Sequence, residues 1–311
     1  MEILPSLLSF IDSKIRTFKR KISDAAENPN DVAEQIAGNL PETIDKTISD
    51  PSNFVGGGAG TLISRNAKTW NNPRYIEAVK MKVKGVSNAE IWAKTGTWLD
   101  TPDMIPRQEI SDLGMTLRNP RGWKPSAVIP GAEYQQGQLD QLMIHPELTK
   151  AYPELLKDAF SKLSKKAGDA KKGMFDEARP AVYAHAHDDD DVLKVLAHEI
   201  QHYVQSKENF ARGGNPSAVL KGDIPEADAV FQAWRDKLIK AGHDPAKAID
   251  KAAYEAYYNL AGEAEARATA SRLYLNDEER RSLPPWKTLM GDISVPYDKL
   301  IVRFGGDKSA K

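Results

Sequence analysis

One helix-sized stretch constrains the fold and chemistry of this chain more than any other. Residues 195–205 read Val-Leu-Ala-His-Glu-Ile-Gln-His-Tyr-Val-Gln and contain the pattern His-Glu-x-x-His. Because residues four apart share one face of a helix, His198 and His202 can present both imidazoles to one metal ion. Glu199 lies one position along, near enough to act on a water molecule at that ion. The apolar neighbours predict a buried helix, and the alternative is a core helix whose histidines only form hydrogen bonds.

The composition is that of a globular protein with one large or two modest cores. The chain has 311 residues, of which 41% are hydrophobic and 28% are charged. With a formal net charge of -1, the chain has no overall positive field that would attract nucleic acid, so no nucleic-acid partner is expected. The absence of cysteine excludes disulfides, thiolate catalysis and cysteine-type zinc sites. No apolar run is long enough to span a bilayer, and the first residues lack the order of a secretory signal.

The pattern of residues 1–55 predicts a helical N-terminal extension. Between residues 3 and 21, apolar residues recur at helical spacing with lysines and arginines on the other faces. Such a basic amphipathic helix either packs on protein or lies on a membrane surface, and both interpretations stay open. Residues 56–60 are rich in glycine but lack the Lys-Ser/Thr of a phosphate-binding loop. Residues 56–72 are therefore interpreted as a flexible linker.

The remaining patterns predict a mainly helical α+β domain over residues 73–305, followed by a tail at 306–311. A strand at 180–187 leads directly into the histidine helix, and the acidic run 188–191 is interpreted as its cap. The other predicted elements are helices at 73–84, 88–95, 225–241 and 246–273, a helical region at 139–165 interrupted at 145–146 and 152–153, and strands near 108–110 and at the C-terminal end.

A catalytic zinc site needs a third protein ligand and keeps one position for water. Gln205 and Glu208 occupy the positions where one zincin class has glycine and its third histidine, so that class is excluded. A carboxylate from a later helix remains, and Gly-Glu-Ala-Glu-Ala-Arg at 262–267 supplies two. Glu263 has two polar helical neighbours that can pair with it, Asn259 and Arg267. Glu265 instead lies among small residues that let another helix approach. Glu265 is therefore predicted as the ligand, with Glu263 as its rival.

Together these segments resemble the zincin-like metallopeptidase domain of bacteriophage and prophage large polyvalent proteins. The similarity rests on residues 196–205, on Phe-Ala-Arg-Gly-Gly-Asn-Pro at 210–216, and on 262–267. Glu-Ile-Trp-Ala-Lys-Thr-Gly at 90–96 also fits, and the resemblance runs from about residue 75 to 305. The chain departs from the family pattern at 99–107, where an expected Asp-Gly turn is missing.

The resemblance implies a gluzincin, in which His198, His202 and Glu265 hold Zn²⁺ and Glu199 is the general base. It implies hydrolysis of a protein or peptide substrate, and a location in the virion or the host cytoplasm. The alternative is a virion-associated or ejected structural protein with a zincin fold and no turnover, which contacts other phage proteins through residues 1–50. The sequence offers five candidates for stabilising the oxyanion and does not choose among them: Arg212, His243, Tyr254, Tyr257 and Tyr258.

Overall fold

A five-stranded sheet and one long helix form the centre of the fold. They belong to a computed structural model that describes residues 60–118, 122–292 and 299–304. The extension predicted for residues 1–55 and the tail at 306–311 lie outside these residues. The strands are β1 (Leu62–Ile63), β2 (Thr97–Trp98), β3 (Arg107–Glu109), β4 (Thr116–Leu117), β5 (Lys124–Pro125), β6 (Glu133–Gln138), β7 (Met143–Ile144), β8 (Phe160–Lys165), β9 (Lys172–Asp176) and β10 (Ala181–Ala186).

The described residues also form a 3₁₀ turn at Pro225–Ala227 and a set of helices. They are α1 (Asn72–Val83), α2 (Asn88–Thr95), α3 (Leu139–Leu142), α4 (Pro146–Ala151), α5 (Leu155–Asp158), α6 (Asp189–Glu208), α7 (Pro216–Leu220), α8 (Asp228–Lys240), α9 (Pro245–Tyr258), α10 (Ala261–Ser271), α11 (Asp277–Ser282) and α12 (Pro285–Asp292). The predicted α+β class is confirmed, and helical residues outnumber strand residues. None of the helices in the described ranges is long and apolar enough to cross a membrane.

The main sheet has the strand order β5-β6-β8-β10-β9. Its two central strands, β8 and β10, are parallel, and every other neighbouring pair is antiparallel. The other strands form two smaller sheets, β1-β3-β2 and β4-β7. Strand β10 leads directly into α6, as the sequence predicts, so the sheet fixes where the histidine helix begins.

Helix α6 is the central helix of the fold, and its limits follow from local chemistry. The Asp188 side chain accepts a hydrogen bond from the backbone of Asp191, and acidic residues fill the first turn, which confirms the predicted cap. The helix ends at Asn209, which adopts a left-handed conformation with φ of 57°. Its apolar side packs with β8 and β10 in one hydrophobic core. Burial of each Leu, Ile or Val in such a core contributes about 1.5–3 kcal/mol, which holds the helix rigidly.

Strand β9 is at one edge of the sheet and runs beside α6. The Phe175 ring stacks on Tyr203 of α6, with ring centroids 4.9 Å apart. Two residues before Phe175 on β9, a Cβ atom added to Gly173 would lie 2.1 Å from Glu199 Oε1 and 2.7 Å from Val195 Cγ1. The strand therefore passes directly over Glu199, and only glycine fits at that crossing.

The linker predicted for residues 56–72 is wrong over residues 60–72. Strand β1 is buried, and Leu62 forms two backbone hydrogen bonds to the side-chain amide of Gln201 on α6. Glu208, at the end of α6, accepts hydrogen bonds from the backbone N–H groups of Ser64 and Ala67. Burial and these long-range hydrogen bonds attach the segment to α6, which glycine content alone does not reveal.

Other local predictions had mixed outcomes. The capping box at Ser87 is present, and α2 ends at Gly96 in a left-handed conformation, as predicted. Residues 160–165, predicted as helix, form β8 in the middle of the sheet. The helix predicted over 246–273 is broken at Asn259 and Leu260 into α9 and α10. This break matters for the site because it sets the direction in which α10 projects its carboxylates.

Candidate metal centre

Three side chains from two helices converge at the centre of the fold. His198 and His202 lie one turn apart on α6, with their Nε2 atoms 3.1 Å apart. Glu263, in the first turn of α10, places Oε1 at 3.3 Å from His202 Nε2 and Oε2 at 3.5 Å from His198 Nε2. Two imidazoles and one carboxylate therefore direct potential ligand atoms at a common point.

The spacing of these atoms fits a tetrahedral metal site. Metal–ligand bonds of about 2.0–2.2 Å give ligand–ligand distances of about 3.3–3.6 Å across a tetrahedron. The observed distances of 3.1, 3.3 and 3.5 Å are close to this range. Glu263 Oε2 is buried and faces His198 Nε2 at 3.5 Å without a hydrogen bond of good geometry, which is costly unless another electropositive partner is present. The two histidine side chains keep 19% and 13% of their surface exposed, so the cluster can be reached from solvent. The donor set and the orphaned oxygen thus both fit a bound cation.

The structure places Glu263, and not the predicted Glu265, beside the two histidines. The Glu265 carboxylate lies on another side of α10, where Oε2 accepts from Arg107 Nε at 3.0 Å. Its Oε1 accepts from the side-chain amides of Gln201 at 2.9 Å and Gln205 at 3.2 Å. Sequence reasoning missed these three partners, although two glutamines four apart on α6 were an available signal. Buried side-chain amides need hydrogen-bond partners, and a helix that packs against them can supply some of these.

The charges of the cluster are strongly coupled. Burial by itself lowers the pKa of His202, but the nearby Glu263 carboxylate outweighs burial and raises that pKa to about 9. Burial likewise opposes ionisation of Glu263, yet the two histidines hold its pKa well below the usual range. Burial lowers the pKa of His198, and Glu263 only partly offsets this. Glu263 is therefore an anion placed to balance positive charge at the histidines.

A glycine loop closes over the cluster and fixes the carboxylate. The Gly214 N–H donates to Glu263 Oε1 at 2.9 Å. A Cβ on Gly213 would lie 2.1 Å from that same oxygen and 2.6 Å from His202 Cε1. A Cβ on Gly262 would meet the loop backbone, with Arg212 C at 2.3 Å. These glycines in 210–216 and 262–267 therefore allow the loop, α6 and α10 to approach one another closely.

We expect Gly213→Ala to weaken metal binding and to lower the free energy of unfolding by about 1–3 kcal/mol. The added methyl group collides with a carboxylate that the loop already holds, so either the loop or Glu263 must move. Calorimetric metal titration and thermal unfolding measure both effects. Gly137→Ala is the matched control, because its Cβ would meet only the end of the Gln141 side chain, at 3.2 Å. A Gly213→Ala protein that behaves like this control would contradict the tight closure.

Glu199, the predicted base, is separate from the three convergent side chains. It is buried on α6 beneath Gly173 of β9. Burial raises the pKa of Glu199 to about 7, and the charge of His202 opposes this shift while Glu263 adds to it. The Glu199 carboxyl group therefore lies beside the cluster with a pKa near neutral pH, so it can exchange a proton there.

One of the five oxyanion candidates interacts with the cluster. Tyr257 is half-buried on α9, and burial with the charge and hydrogen bond of Glu263 raises the pKa of its hydroxyl well above the usual range. That hydroxyl therefore stays protonated at neutral pH. Arg212 instead forms an ion pair with Glu177 at 3.1 Å. Of the others, the rings of Tyr254 and Tyr258 stack at 5.8 Å, and His243 is exposed.

Three histidines outside the central helix, His145, His185 and His187, have structural partners. His145 is buried, caps α4 and contacts Asp112 Oδ1 at 2.9 Å, as the interpretation of a structural histidine predicts. His185 contacts Ser164 at 2.9 Å. His187 lies within 3.1 Å of Asp188 and 2.9 Å of Asp191 on the exposed cap of α6. His187, Asp188 and Asp191 also form a second group of potential metal ligands, in which His187 and Asp188 are exposed.

Comparisons with protein-family models, with curated proteins and with solved structures find no match for this chain. The geometry of the centre therefore has to support any assignment of function by itself.

Proposed function

We propose that this protein is a zinc-dependent peptidase of the gluzincin kind, with His198, His202 and Glu263 as the metal ligands. The observation that carries the proposal is the convergence of these side chains within 3.1–3.5 Å, with a buried Glu199 beside them. Two imidazoles and one carboxylate are a typical ligand set of catalytic zinc and leave one position for water. The resemblance to phage-type zincin domains, carried by the same segments, belongs to this proposal.

The roles of the side chains follow from their environments. Bound zinc supplies Lewis acidity, which lowers the pKa of water and polarises a carbonyl group. Glu199, with a pKa raised to about 7 by burial, takes the proton of the attacking water and gives it to the leaving amine. Glu263 balances the positive charge at the histidines, and the Gly214 N–H keeps its carboxylate in place.

The edge strand β9 favours an extended peptide as the substrate. In the described part of the chain, β9 pairs with β10 on one side only, and its residues around Gly173 are exposed. An extended chain can add to such an edge through backbone hydrogen bonds that do not depend on its sequence. Because Gly173 lies against Glu199, a strand added there passes close to the base. The substrate class proposed is therefore a protein segment without fixed structure.

Removal of the metal is the first test of this proposal. The purified full chain is expected to contain about one zinc per molecule and to cleave members of a fluorogenic peptide library. A chelator should abolish cleavage and lower the melting temperature, because a ligand at about 100 times its Kd stabilises the native state by about 2.7 kcal/mol. Added zinc should restore both, and mass spectrometry of the products should show new peptide termini.

Three outcomes would contradict this proposal. Cleavage that survives complete removal of metal would contradict a zinc mechanism. Bound zinc that stabilises the fold, with no new termini from a broad library of unfolded proteins, would favour the structural zincin without turnover. A chain that binds no divalent metal would overturn both interpretations.

A further inference from the structure

The second ring nitrogen of His202 points away from the cluster and meets an amide whose orientation can be deduced. His202 Nδ1 lies 2.9 Å from Gln205 Oε1. The other end of this amide, Nε2, lies 2.8 Å from the Gly262 carbonyl oxygen and 3.2 Å from Glu265 Oε1. Both of those atoms are acceptors, so that end must be the NH₂ group. The oxygen then faces His202, whose Nδ1 must carry a proton.

Glu265 is an acceptor on both oxygens. Leu62 N–H donates to Gln201 Oε1 at 2.9 Å, which fixes the Gln201 amide with its NH₂ group toward Glu265 Oε1. The Arg107 Nε–H group can act only as a hydrogen-bond donor, and it faces Glu265 Oε2 at 3.0 Å. Burial raises the pKa of Glu265, and Arg107 opposes that shift. With N–H donors facing both oxygens, only the carboxylate satisfies all of these bonds.

Arg107 anchors the carboxylate to the upstream part of the fold. Its side chain is 1% exposed, lies over the Phe210 ring and also pairs with Asp103 at 2.7 Å. Asp103 in turn accepts from the Ala211 N–H at 2.7 Å, in the loop that covers the cluster. Strand β3, the covering loop, α6 and α10 are therefore joined by one buried network of hydrogen bonds.

We infer that Glu265 and Gln205 form a positioning relay that keeps a proton on His202 Nδ1 and leaves Nε2 as the atom that binds a cation. The relay rests on the metal centre of the proposed function but does not depend on turnover. Partners of this kind fix the ring orientation and raise the basicity of a metal-binding imidazole, and their loss costs about 10–100-fold in metal affinity. Glu265, predicted as a ligand, acts instead through another side chain.

Nuclear magnetic resonance of the ¹⁵N-histidine-labelled full chain tests the relay in the metal-free Glu263→Ala variant, in which no carboxylate faces His202 Nε2. Its neutral His202 ring should be the Nδ1–H tautomer, because the Gln205 oxygen holds the proton there. Adding Gln205→Leu, which removes that acceptor, should shift the neutral ring toward the Nε2–H tautomer. Adding Ser206→Ala, one residue further along the helix, should leave the Nδ1–H tautomer in place. A neutral His202 protonated on Nε2 while Gln205 is present would overturn the relay, whether or not the Gln205→Leu protein folds.

Metal affinity provides the second readout. Gln205→Leu should bind zinc about 10–100-fold more weakly than wild type in competition with a chromophoric chelator. Ser206→Ala, on the same helix turn but outside the network, should bind like wild type. Unchanged affinity in folded Gln205→Leu would overturn the relay while leaving the peptidase proposal intact. Absence of zinc binding by wild type would overturn the peptidase proposal, and the metal-free spectra would still judge the relay.

Discussion

Replacing Glu199 with glutamine is expected to lower peptide turnover by about 10²–10⁴-fold while zinc remains bound. Glutamine has nearly the same shape as glutamate and fits the space beneath Gly173, but it cannot accept a proton at neutral pH. Since Glu199 is not one of the three convergent side chains, the metal content should not change. Parallel measurements of zinc stoichiometry and of initial cleavage rates on one peptide check both halves of this expectation.

The control for this variant is a glutamate of the same size on the surface. Glu147→Gln, which removes only an exposed ion pair with Lys150, should cleave at the wild-type rate. Equal cleavage rates for wild type and Glu199→Gln, at equal zinc content, would remove Glu199 from the mechanism. Loss of zinc together with activity would instead show that Glu199 acts by shaping the ligand set.

The features that could be predicted from sequence depend on contacts within a few residues. The Ser87 box, the left-handed Gly96 and the capped start of α6 are set by side chains within one turn of the backbone they satisfy. The pairing of His198 with His202 is of the same kind, because helix geometry alone places them together. Such features require no knowledge of the tertiary fold.

Strand β8 shows where local reasoning fails. Its residues, Phe-Ser-Lys-Leu-Ser-Lys, carry lysines that are compatible with an exposed helix. The structure buries Ser161 and Leu163 between two neighbouring strands, and the Ser161 hydroxyl donates to the Val182 carbonyl at 2.8 Å. Pairing with residues more than 20 positions away in the sequence makes this segment a strand, and its local helix propensity has little weight against that pairing.

A similar cause explains why the sequence favoured Glu265, whereas the structure places Glu263 beside the histidines. The argument for Glu265 assumed one continuous helix, in which Asn259 and Arg267 pair with Glu263. The helix is broken before Ala261, so Asn259 is not a helical neighbour and donates instead to Glu255 O at 2.8 Å. Glu265 does lie at a close helix contact, as its small neighbours predict, but Arg107 from a distant strand occupies its carboxylate.

These two glutamates should therefore respond to alanine in opposite ways. Loss of a hydrogen-bond partner of a metal ligand lowers metal affinity by about 10–100-fold. Glu263→Ala is expected to lower zinc affinity by more than this, because it removes a ligand itself. The fold should be retained in the metal-free protein, since the histidines can lose their extra proton when the carboxylate is gone. Equilibrium dialysis with zinc and chemical unfolding without zinc measure the two properties separately.

Glu265→Ala should instead lower the free energy of unfolding of the metal-free protein by about 3–5 kcal/mol, because Arg107 keeps its buried charge and loses one of its carboxylates. Asp103 still pairs with Arg107 at 2.7 Å, which favours the lower end of that range. The residual folded protein should retain His198, His202 and Glu263 as ligands, so saturating zinc should still stabilise it. The reverse pattern, with Glu263→Ala unfolded and Glu265→Ala stable but unable to bind zinc, would return Glu265 to the metal and contradict the geometry of α10.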